Sequence, residues 1–325
     1  MFPEMSRPLK VLLCLLALAP LTAWGQAAAE EKYPSRPVEL IVPWGPGGGA
    51  DQLARLTGKL LEPVIGASVP VLNVPGATGG TGMAKLLAAP ADGYSMAIYI
   101  ADSHALLAGK DPRWQAADIV PVAVMIQAPS FLFVPKDSRF KSFTDFEKEA
   151  REKPGTLKVA TLGFGSVDDF TLKYLEGRGI KVVQVPFSKP NERYVAILGG
   201  HADALYEQAG DVGQFLKSGE MRPIILFGKE RHPDFKDVPS SFDLGYQVAL
   251  PQFRSIVVKA GTPPETVKTL SATLAKIAVT EEYKTFLKDQ FAASDSFIGA
   301  EKATAFVDEQ LKEMKAFAAG QTVSQ

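Results

Sequence analysis

The 325-residue chain has little cysteine, little histidine and almost no net charge. It contains one Cys and three His, and its 35 Lys and Arg nearly balance 36 Asp and Glu, for a formal net charge of −1. One Cys excludes an intramolecular disulfide framework and any cysteine-rich zinc site. A near-neutral chain has no electrostatic footprint for a polyanion, which argues against nucleic-acid binding. Stability must therefore come from a packed core, for which the 46% hydrophobic residues suffice.

A hydrophobic run long enough to cross a membrane is also missing. The longest apolar run, residues 11–21, is well short of the roughly 20 residues that a spanning helix needs. Arg7 and Lys10 precede it, and small residues follow it as far as Ala27, which is the pattern of a secretory signal peptide. We therefore predict that residues 1–27 are a signal peptide cleaved near Ala27 and that the mature protein is periplasmic. Cleavage would also remove Cys14, the one cysteine of the chain. The mature protein would then have no thiol to mispair in an oxidising compartment.

The remainder of the chain alternates strand-like and helix-like segments. Residues 38–42 form a β-branched run that ends in the glycine loop 45–49, after which leucines recur at helical spacing. The same order repeats with a strand over 69–73 and a second glycine loop at 76–80. A third strand is predicted over 95–100. Such alternation predicts an α/β domain with a largely parallel sheet.

A second α/β unit is predicted to begin near Ile126. Strands over 130–134 and 158–161 are followed by a third glycine loop at 163–166 and a helix. The helical segments that follow a last strand at 255–258 have no sheet of their own. We therefore expect these helices to pack back on the first unit, so that the chain crosses between domains twice. The predicted boundaries are 28–127 with 251–325 for the first lobe and 128–250 for the second.

The three glycine loops suggest an anion site. A strand that ends in a glycine loop and opens a helix directs backbone N–H groups and the positive end of the helix dipole into a crevice. In open α/β sheets, ligands bind at the carboxyl ends of the strands, where these loops lie. Taken singly, each loop is as well explained by the need for a tight turn. Together, three loops in equivalent positions favour a shared site for a small anion.

Enzyme motifs are weak or missing. Residues 45–50 satisfy G-x-G-x-x-A, but the next strand ends in Asn73 instead of the acid that would hold a ribose hydroxyl. Ser166 is not within a G-x-S-x-G elbow, and His104, His201 and His232 lack metal-ligand spacing. Ser166 and Asp169 are also spaced as a helix capping box, which is a structural alternative to a catalytic acid. The sequence therefore predicts no enzyme, cofactor or metal site.

Several motifs together resemble one family. These are residues 33–37 (YPSRP), 41–51 (IVPWGPGGGAD), 73–80 (NVPGATGG), 91–94 (ADGY), 198–203 (LGGHAD) and 260–263 (AGTP). In this combination the chain resembles the periplasmic solute-binding proteins of tripartite tricarboxylate transporters, the TctC or Bug family, over nearly all of its mature length. The resemblance implies a type II periplasmic-binding-protein fold, in which two α/β lobes close over a small carboxylate.

The resemblance also implies a ligand-binding set, contributed by both lobes. On the family's pattern the first lobe supplies two glycine loops and the end of the third strand, and the opposite lobe supplies the third loop and the segment after the next strand. Asp51 matches the motif's acid and is interpreted as a helix-start residue. The implied ligand-binding residues are Trp44, Gly47, Gly48, Gly49, Ala77, Thr78, Gly79, Gly80, Ser103, His104, Gly165, Ser166, Asp169, Phe187 and Ser188.

Two departures from the family's pattern bear on the ligand. Asp169 lies where members often have His, and a carboxylate there would repel a second ligand anion, which puts a tricarboxylate in doubt. Residues 101–114 also lack the sequence that family members usually have there. We therefore expect a monocarboxylate or dicarboxylate, with aromatic ones included because of Trp44.

The expected function is capture of this carboxylate by a monomeric exported protein and delivery to the membrane permease subunits of the transporter. Two alternatives are open at this point. One is a component that presents its ligand to a receptor kinase. The other is an exported hydrolase on the same scaffold.

Overall fold

The computed structural model describes residues 33–250 and 252–319, so the predicted signal peptide, Cys14 and the cleavage site lie outside the described residues. The strands are β1 (Glu39–Val42), β2 (Val71–Asn73), β3 (Ser95–Ile100), β4 (Ile119–Ala128), β5 (Ser130–Pro135), β6 (Lys158–Thr161), β7 (Val183–Pro186), β8 (Ala204–Gln208), β9 (Met221–Phe227), β10 (Gln252–Lys259) and β11 (Ile298–Gly299). The helices are α1 (Gly49–Ile65), α2 (Gly80–Ala88), α3 (Ala101–Ala105), α4 (Phe143–Glu152), α5 (Val167–Gly177), α6 (Pro190–Leu198), α7 (Gly213–Lys217), α8 (Pro264–Ala278), α9 (Glu281–Asp289) and α10 (Ala300–Ala318).

The strands form two mixed sheets of related topology. The first has the order β11-β4-β10-β3-β1-β2 and the second the order β7-β6-β8-β5-β9. In the first sheet β1 is parallel to β2 and β3, while β10 is antiparallel to β3 and β4. In the second, β6 is parallel to β7 and β8, while β5 is antiparallel to β8 and β9. Because β1, β2 and β6 each lead into a glycine loop, all three loops lie at the carboxyl ends of parallel strands, as predicted.

Two crossovers connect the sheets. The chain leaves the first sheet between Ala128 and Ser130 and returns between Phe227 and Gln252. We call the six-stranded sheet with α1–α3 and α8–α10 the first lobe, and the five-stranded sheet with α4–α7 the second lobe. Helices α8 and α10 pack on β4, which confirms that the C-terminal helices return to the first lobe. The fold is the predicted two-lobed α/β fold, and the boundaries at 127/128 and 250/251 stay predictions.

The long strand β4 was not predicted. Its ten residues, IVPVAVMIQA, are almost all buried and show no alternation, so periodicity alone cannot separate a buried strand from a buried helix segment. Pro121 lies inside it, where a proline argues against a strand. Strand β4 continues to Ala128 within the first sheet.

The lobes pack against each other through a continuous apolar core. One cluster of buried side chains includes Tyr99 and Phe253 from the first lobe and Leu132 and Tyr206 from the second. Near the end of α10, Phe317 contacts Tyr174 of α5, with ring centroids 5.5 Å apart. Among the described residues, no helix is long and apolar enough to cross a membrane.

Candidate functional site

The first glycine loop, residues 45–49, packs directly on the second lobe. A Cβ added to Gly45 would lie 3.3 Å from Lys189, and one added to Gly48 would lie 2.5 Å from Pro190 Cγ. A Cβ added to Gly47 would lie 3.0 Å from Asn191 Oδ1. Because these residues start α6, the loop meets the first turn of a helix from the opposite lobe. Only residues without a side chain permit so close an approach.

The start of α1 is held by Asp51. Its carboxylate accepts hydrogen bonds from Gly47 N at 3.0 Å, from Arg55 Nε at 2.9 Å and from Asn73 Nδ2 at 3.0 Å. Burial would raise the pKa of Asp51, but these bonds hold it below its ordinary value. Asp51 is therefore the structural helix-start residue that the sequence predicted.

The second loop, residues 76–80, has a strained backbone. Ala77 and Thr78 have φ values of 50° and 52°, in the left-handed region that residues with a side chain rarely adopt. Gly79 lies against Ser103, and a Cβ added there would overlap Ser103 Oγ and lie 3.3 Å from Trp44 Cζ2. Ser103 Oγ in turn donates to the Thr78 carbonyl at 3.4 Å. Trp44, Thr78, Gly79 and Ser103 thus form one group at the end of the first sheet.

Thr78 also reaches the opposite lobe. Its Oγ1 lies 2.9 Å from the position that a Cβ on Gly163 would take, and Leu106 lies 3.0 Å from the corresponding position on Gly165. Both glycines have positive φ, 138° and 77°. The second and third loops therefore face each other across the boundary between the lobes.

The third loop is stabilised within its own lobe. Ser166 is the N-cap of α5 and accepts from Asp169 N at 3.2 Å, while its hydroxyl donates to the Gly163 carbonyl at 2.6 Å. The Asp169 carboxylate accepts from Gly165 N at 2.7 Å, Lys173 Nζ at 2.8 Å and Gln184 Nε2 at 3.0 Å. This confirms the capping role of Ser166 that the sequence left open. Because its charge is balanced by Lys173, Asp169 need not repel a ligand anion.

Two helix N-termini are contacted by carboxylates from the opposite lobe. Val167 N, in the first turn of α5, donates to Asp102 Oδ1 of α3 at 3.0 Å. At the start of α1, a Cβ on Gly49 would overlap Asp211 Oδ1, which belongs to the loop after β8. The N-terminus of each helix is therefore already contacted by a carboxyl group of the protein itself. At the second loop, the described N–H donors are bonded within the loop and not to a carboxylate: Gly79 N donates to the Gly76 carbonyl at 3.1 Å, and Gly80 N donates to the Ala77 carbonyl.

Buried charge at this boundary was not predicted. Arg193 of α6 forms an ion pair with Glu207 of β8, and both side chains are almost completely buried. Arg254 of β10 pairs with Asp211 at 2.6 Å and donates to Gln208 Oε1 at 3.1 Å. Burial raises the pKa of Glu207 to about 7, although the Arg193 guanidinium acts in the opposite direction. Arg254 could have been identified from the sequence, because a charged residue inside a buried strand requires a partner.

The remaining predicted residues lie in different environments. His104 is fully buried, and its ring nitrogens lie 3.0 Å from Tyr99 Oη and 2.9 Å from the Val307 carbonyl. Burial lowers the pKa of His104 to about 4. Phe187 is half-buried against the core of the second lobe, and Ser188 is exposed. Among the described residues, no hydrogen bond joins these three side chains to Trp44, Thr78, Gly79 or Ser103.

Two cavities lie at different places, one at the crossovers and one between the lobes. A cavity of about 700 Å³ lies at the two crossovers, beside Gln127, Phe227 and Gln252, and includes none of the glycine loops. A much smaller one, about 20 Å³, lies between the lobes and is lined by Trp44, Gly49 and Arg193 among others. No cluster of His, Cys, Asp and Glu suited to a metal ion occurs among residues 33–250 and 252–319.

Comparison with known proteins identifies the family. The family model described as the tripartite tricarboxylate transporter family receptor, TctC, matches residues 53–320. The chain belongs to this family. Among curated relatives of this TctC chain, a UPF0065 protein from the tcbD-tcbE intergenic region of Pseudomonas sp. (strain P51) is 29% identical and aligns over 80% of this chain and 79% of its own. BugT of Bordetella pertussis is 28% identical over 82% of this chain and 83% of its own.

Solved structures share the TctC fold. Periplasmic binding protein BugD matches with a TM-score of 0.81 and 21% identity, over 90% of this chain and 99% of its own. MatC of Rhodopseudomonas palustris, solved with bound malate, matches with a TM-score of 0.79 and 23% identity, over 88% and 99%. A second R. palustris protein, solved with adipate, matches with a TM-score of 0.81 and 24% identity, over 89% and 98%. The family and the fold are those of solute-binding receptors.

Two buried carboxyl groups connect the lobes near the third loop. Asp168 of α5 accepts from Leu162 N at 2.8 Å, and neighbouring Asp102 belongs to α3 of the first lobe. Burial raises the pKa of both groups, and the Asp102 charge raises that of Asp168 further. Both carboxyl groups therefore hold their protons to a higher pH than the same groups would in water.

This pair predicts a stability that decreases as pH rises. The unfolded carboxyl groups ionise near pH 4, whereas the folded pair keeps its protons to higher pH, so the free energy of unfolding declines above about pH 4. Asp168→Asn keeps an acceptor for Leu162 N and removes one titration, so we expect a shallower decline. Urea denaturation of this variant, of wild type and of the exposed Asp237→Asn control, between pH 4.5 and 8, measures the slopes. Equal slopes in all three would contradict the assignment.

Proposed function

We propose that this protein is an exported, periplasmic solute-binding protein that captures a small carboxylate between its lobes and delivers it to the permease of a tripartite tricarboxylate transporter. The observation that carries the proposal is the convergence of Trp44, Thr78, Gly79 and Ser103 opposite the third glycine loop. Family membership supports the transport role. The malate and adipate found with structural neighbours support a carboxylate ligand.

The second loop is the element we propose to hold the carboxylate. The first and third loops are already contacted by carboxyl groups of the protein itself, Asp211 and Asp102. The second loop has no such internal partner within the described residues, and α2 directs the positive end of its dipole toward it. Ser103 and Thr78 add hydroxyl groups that can donate to a carboxylate. We leave His104 out of the proposed site, because both of its ring nitrogens have partners in the core.

Strain at this loop supports a functional role. Left-handed φ angles at two consecutive residues with side chains cost free energy, on the order of 1–3 kcal/mol each, and persist where the backbone arrangement serves a site. A ligand that binds only when the loop and the opposite lobe are together shifts the population toward the closed arrangement. We therefore expect the permease to recognise the closed form.

A carboxylate panel tests this function. Isothermal titration calorimetry of the mature protein after removal of bound ligand, with malate, adipate, succinate and benzoate as probes and glucose as the neutral control, is expected to give binding for at least one carboxylate and none for glucose. Bound carboxylate should also raise the melting temperature, because it stabilises only the folded state. Binding of glucose with no heat from any carboxylate would contradict the proposal.

A pair of glycine variants tests the second loop. Ala77→Gly and Thr78→Gly each relieve a left-handed φ, and we expect each to raise the free energy of unfolding by about 1 kcal/mol, since the relieved strain exceeds the entropic cost of glycine. Only Thr78→Gly removes a hydroxyl, so only this variant should weaken carboxylate binding, by about tenfold. Urea denaturation and calorimetry measure the two effects. Equal affinities of the two variants would remove the Thr78 hydroxyl from the site.

A further inference from the structure

Arg193 is buried with much of its hydrogen-bonding capacity unused. Its side chain is 3% exposed and pairs with Glu207 through Nη2. Its Nε and Nη1 have no hydrogen-bond partner among residues 33–250 and 252–319. A guanidinium has five N–H donors and no acceptor, and leaving buried donors unpaired costs free energy. A structural ion pair with Glu207 therefore does not account for the whole side chain.

Trp44 also carries a buried N–H donor without a partner among the described residues, and it lines the same cavity as Arg193. It is 2% exposed, and its Nε1 has no partner within the described part of the chain. Trp44 and Arg193 line one small cavity between the lobes, of about 20 Å³. Trp44 comes from the first lobe and Arg193 from the second, so closure brings these unpaired donors together.

The volume and the chemistry of this cavity limit what can enter. About 20 Å³ is roughly the room that one water or one oxygen atom needs. The unpaired groups of Arg193 and Trp44 are all N–H donors, one set of them cationic, and they match an oxyanion better than a neutral or cationic group. Trp44 also contacts the second loop, through Cζ2 near Gly79. One side chain thus connects the cavity to the proposed carboxylate site.

We propose that Arg193 is a ligand-binding residue whose guanidinium, together with the Trp44 indole N–H, binds an oxygen of a carboxylate group at the boundary between the lobes. The inference rests on the proposed function and adds a cationic side chain to a site otherwise composed of backbone N–H groups and hydroxyls. Glu207 orients the guanidinium through Nη2 and leaves its other nitrogens for the ligand.

The neighbouring charges make this assignment selective. Arg254 is the other buried guanidinium at this cavity, and it is already bonded to Asp211, Gln208 and Gln290. Glu207, whose Oε1 accepts from Gln208 N at 3.0 Å, has Tyr194 as a further donor to Oε2. Both oxygens of Glu207 are thus held by protein donors, whereas Asp211 is held through Oδ2 and its buried Oδ1 has no partner among the described residues. Arg193 is the guanidinium of this cavity that has unpaired donors.

A charge-neutral double variant separates binding from structure. Arg193→Met alone would leave Glu207 buried without its partner, so it is compared with Arg193→Met/Glu207→Gln, which removes both charges together. Glu207→Gln alone keeps the guanidinium, and Arg231→Met, which breaks the exposed pair with Asp243, is the control for loss of an Arg. Calorimetry with malate, adipate, succinate and benzoate is performed on each, and circular dichroism and melting temperature report folding.

We expect the double variant to fold and to lose about 100-fold in affinity for the carboxylate that wild type binds best, the size expected when one partner of a buried charge-assisted contact is removed. Arg231→Met should retain wild-type affinity, and Glu207→Gln, which keeps the guanidinium but alters the group that orients it, should lose less affinity than the double variant. If the double variant binds as wild type does, Arg193 is only the structural partner of Glu207 and the inference fails while the proposed function stands. If wild type binds none of the four carboxylates, the proposed function and this inference fail together.

If the double variant does not fold, Trp44→Phe decides the question. This substitution keeps an aromatic ring in the core and removes only the indole N–H, so it should weaken the same carboxylate by about tenfold. Unchanged affinity in a folded Trp44→Phe variant would overturn the inference.

Discussion

Burial of charge between the lobes is the constraint on which the rest of the structure depends. A charge that leaves water needs a partner of opposite sign or several hydrogen bonds, because its desolvation costs several kcal/mol. Here the partners come from the opposite lobe: Asp102 accepts from the first turn of α5, and Arg254 of the first lobe pairs with Asp211 of the second. These two contacts therefore join the lobes directly.

The same constraint gives the three glycine loops different roles. All three lie close to atoms of the other lobe, but only the second has consecutive non-glycine residues with left-handed φ and no carboxylate bonded to it within the described residues. The first and third loops lie against carboxyl groups of the protein itself, and the second is the loop that we propose for the ligand. An anion-binding protein of nearly neutral net charge is consistent with this division, because fixed dipoles and one buried guanidinium do not require a basic surface.

The sequence predicted what depends on local pattern. Strands such as Ser95–Ile100 and Lys158–Thr161, the loops that follow the parallel strands, and the family itself were all accessible from residue type and spacing. The buried ion pairs were not, because Arg254 and Asp211 are 43 residues apart and meet only when the lobes pack together. Asp169 was identified as a position of interest, but its charge was interpreted without Lys173 and Gln184, which neutralise it and hold it.

A crystal structure of the protein with a bound carboxylate tests the central claim most directly. The account predicts electron density for the ligand between the lobes, with one carboxylate oxygen within hydrogen-bonding distance of the backbone N–H groups of residues 77–80. Density at the crossover cavity beside Gln127 and Phe227, with the second loop making no contact to ligand, would contradict it.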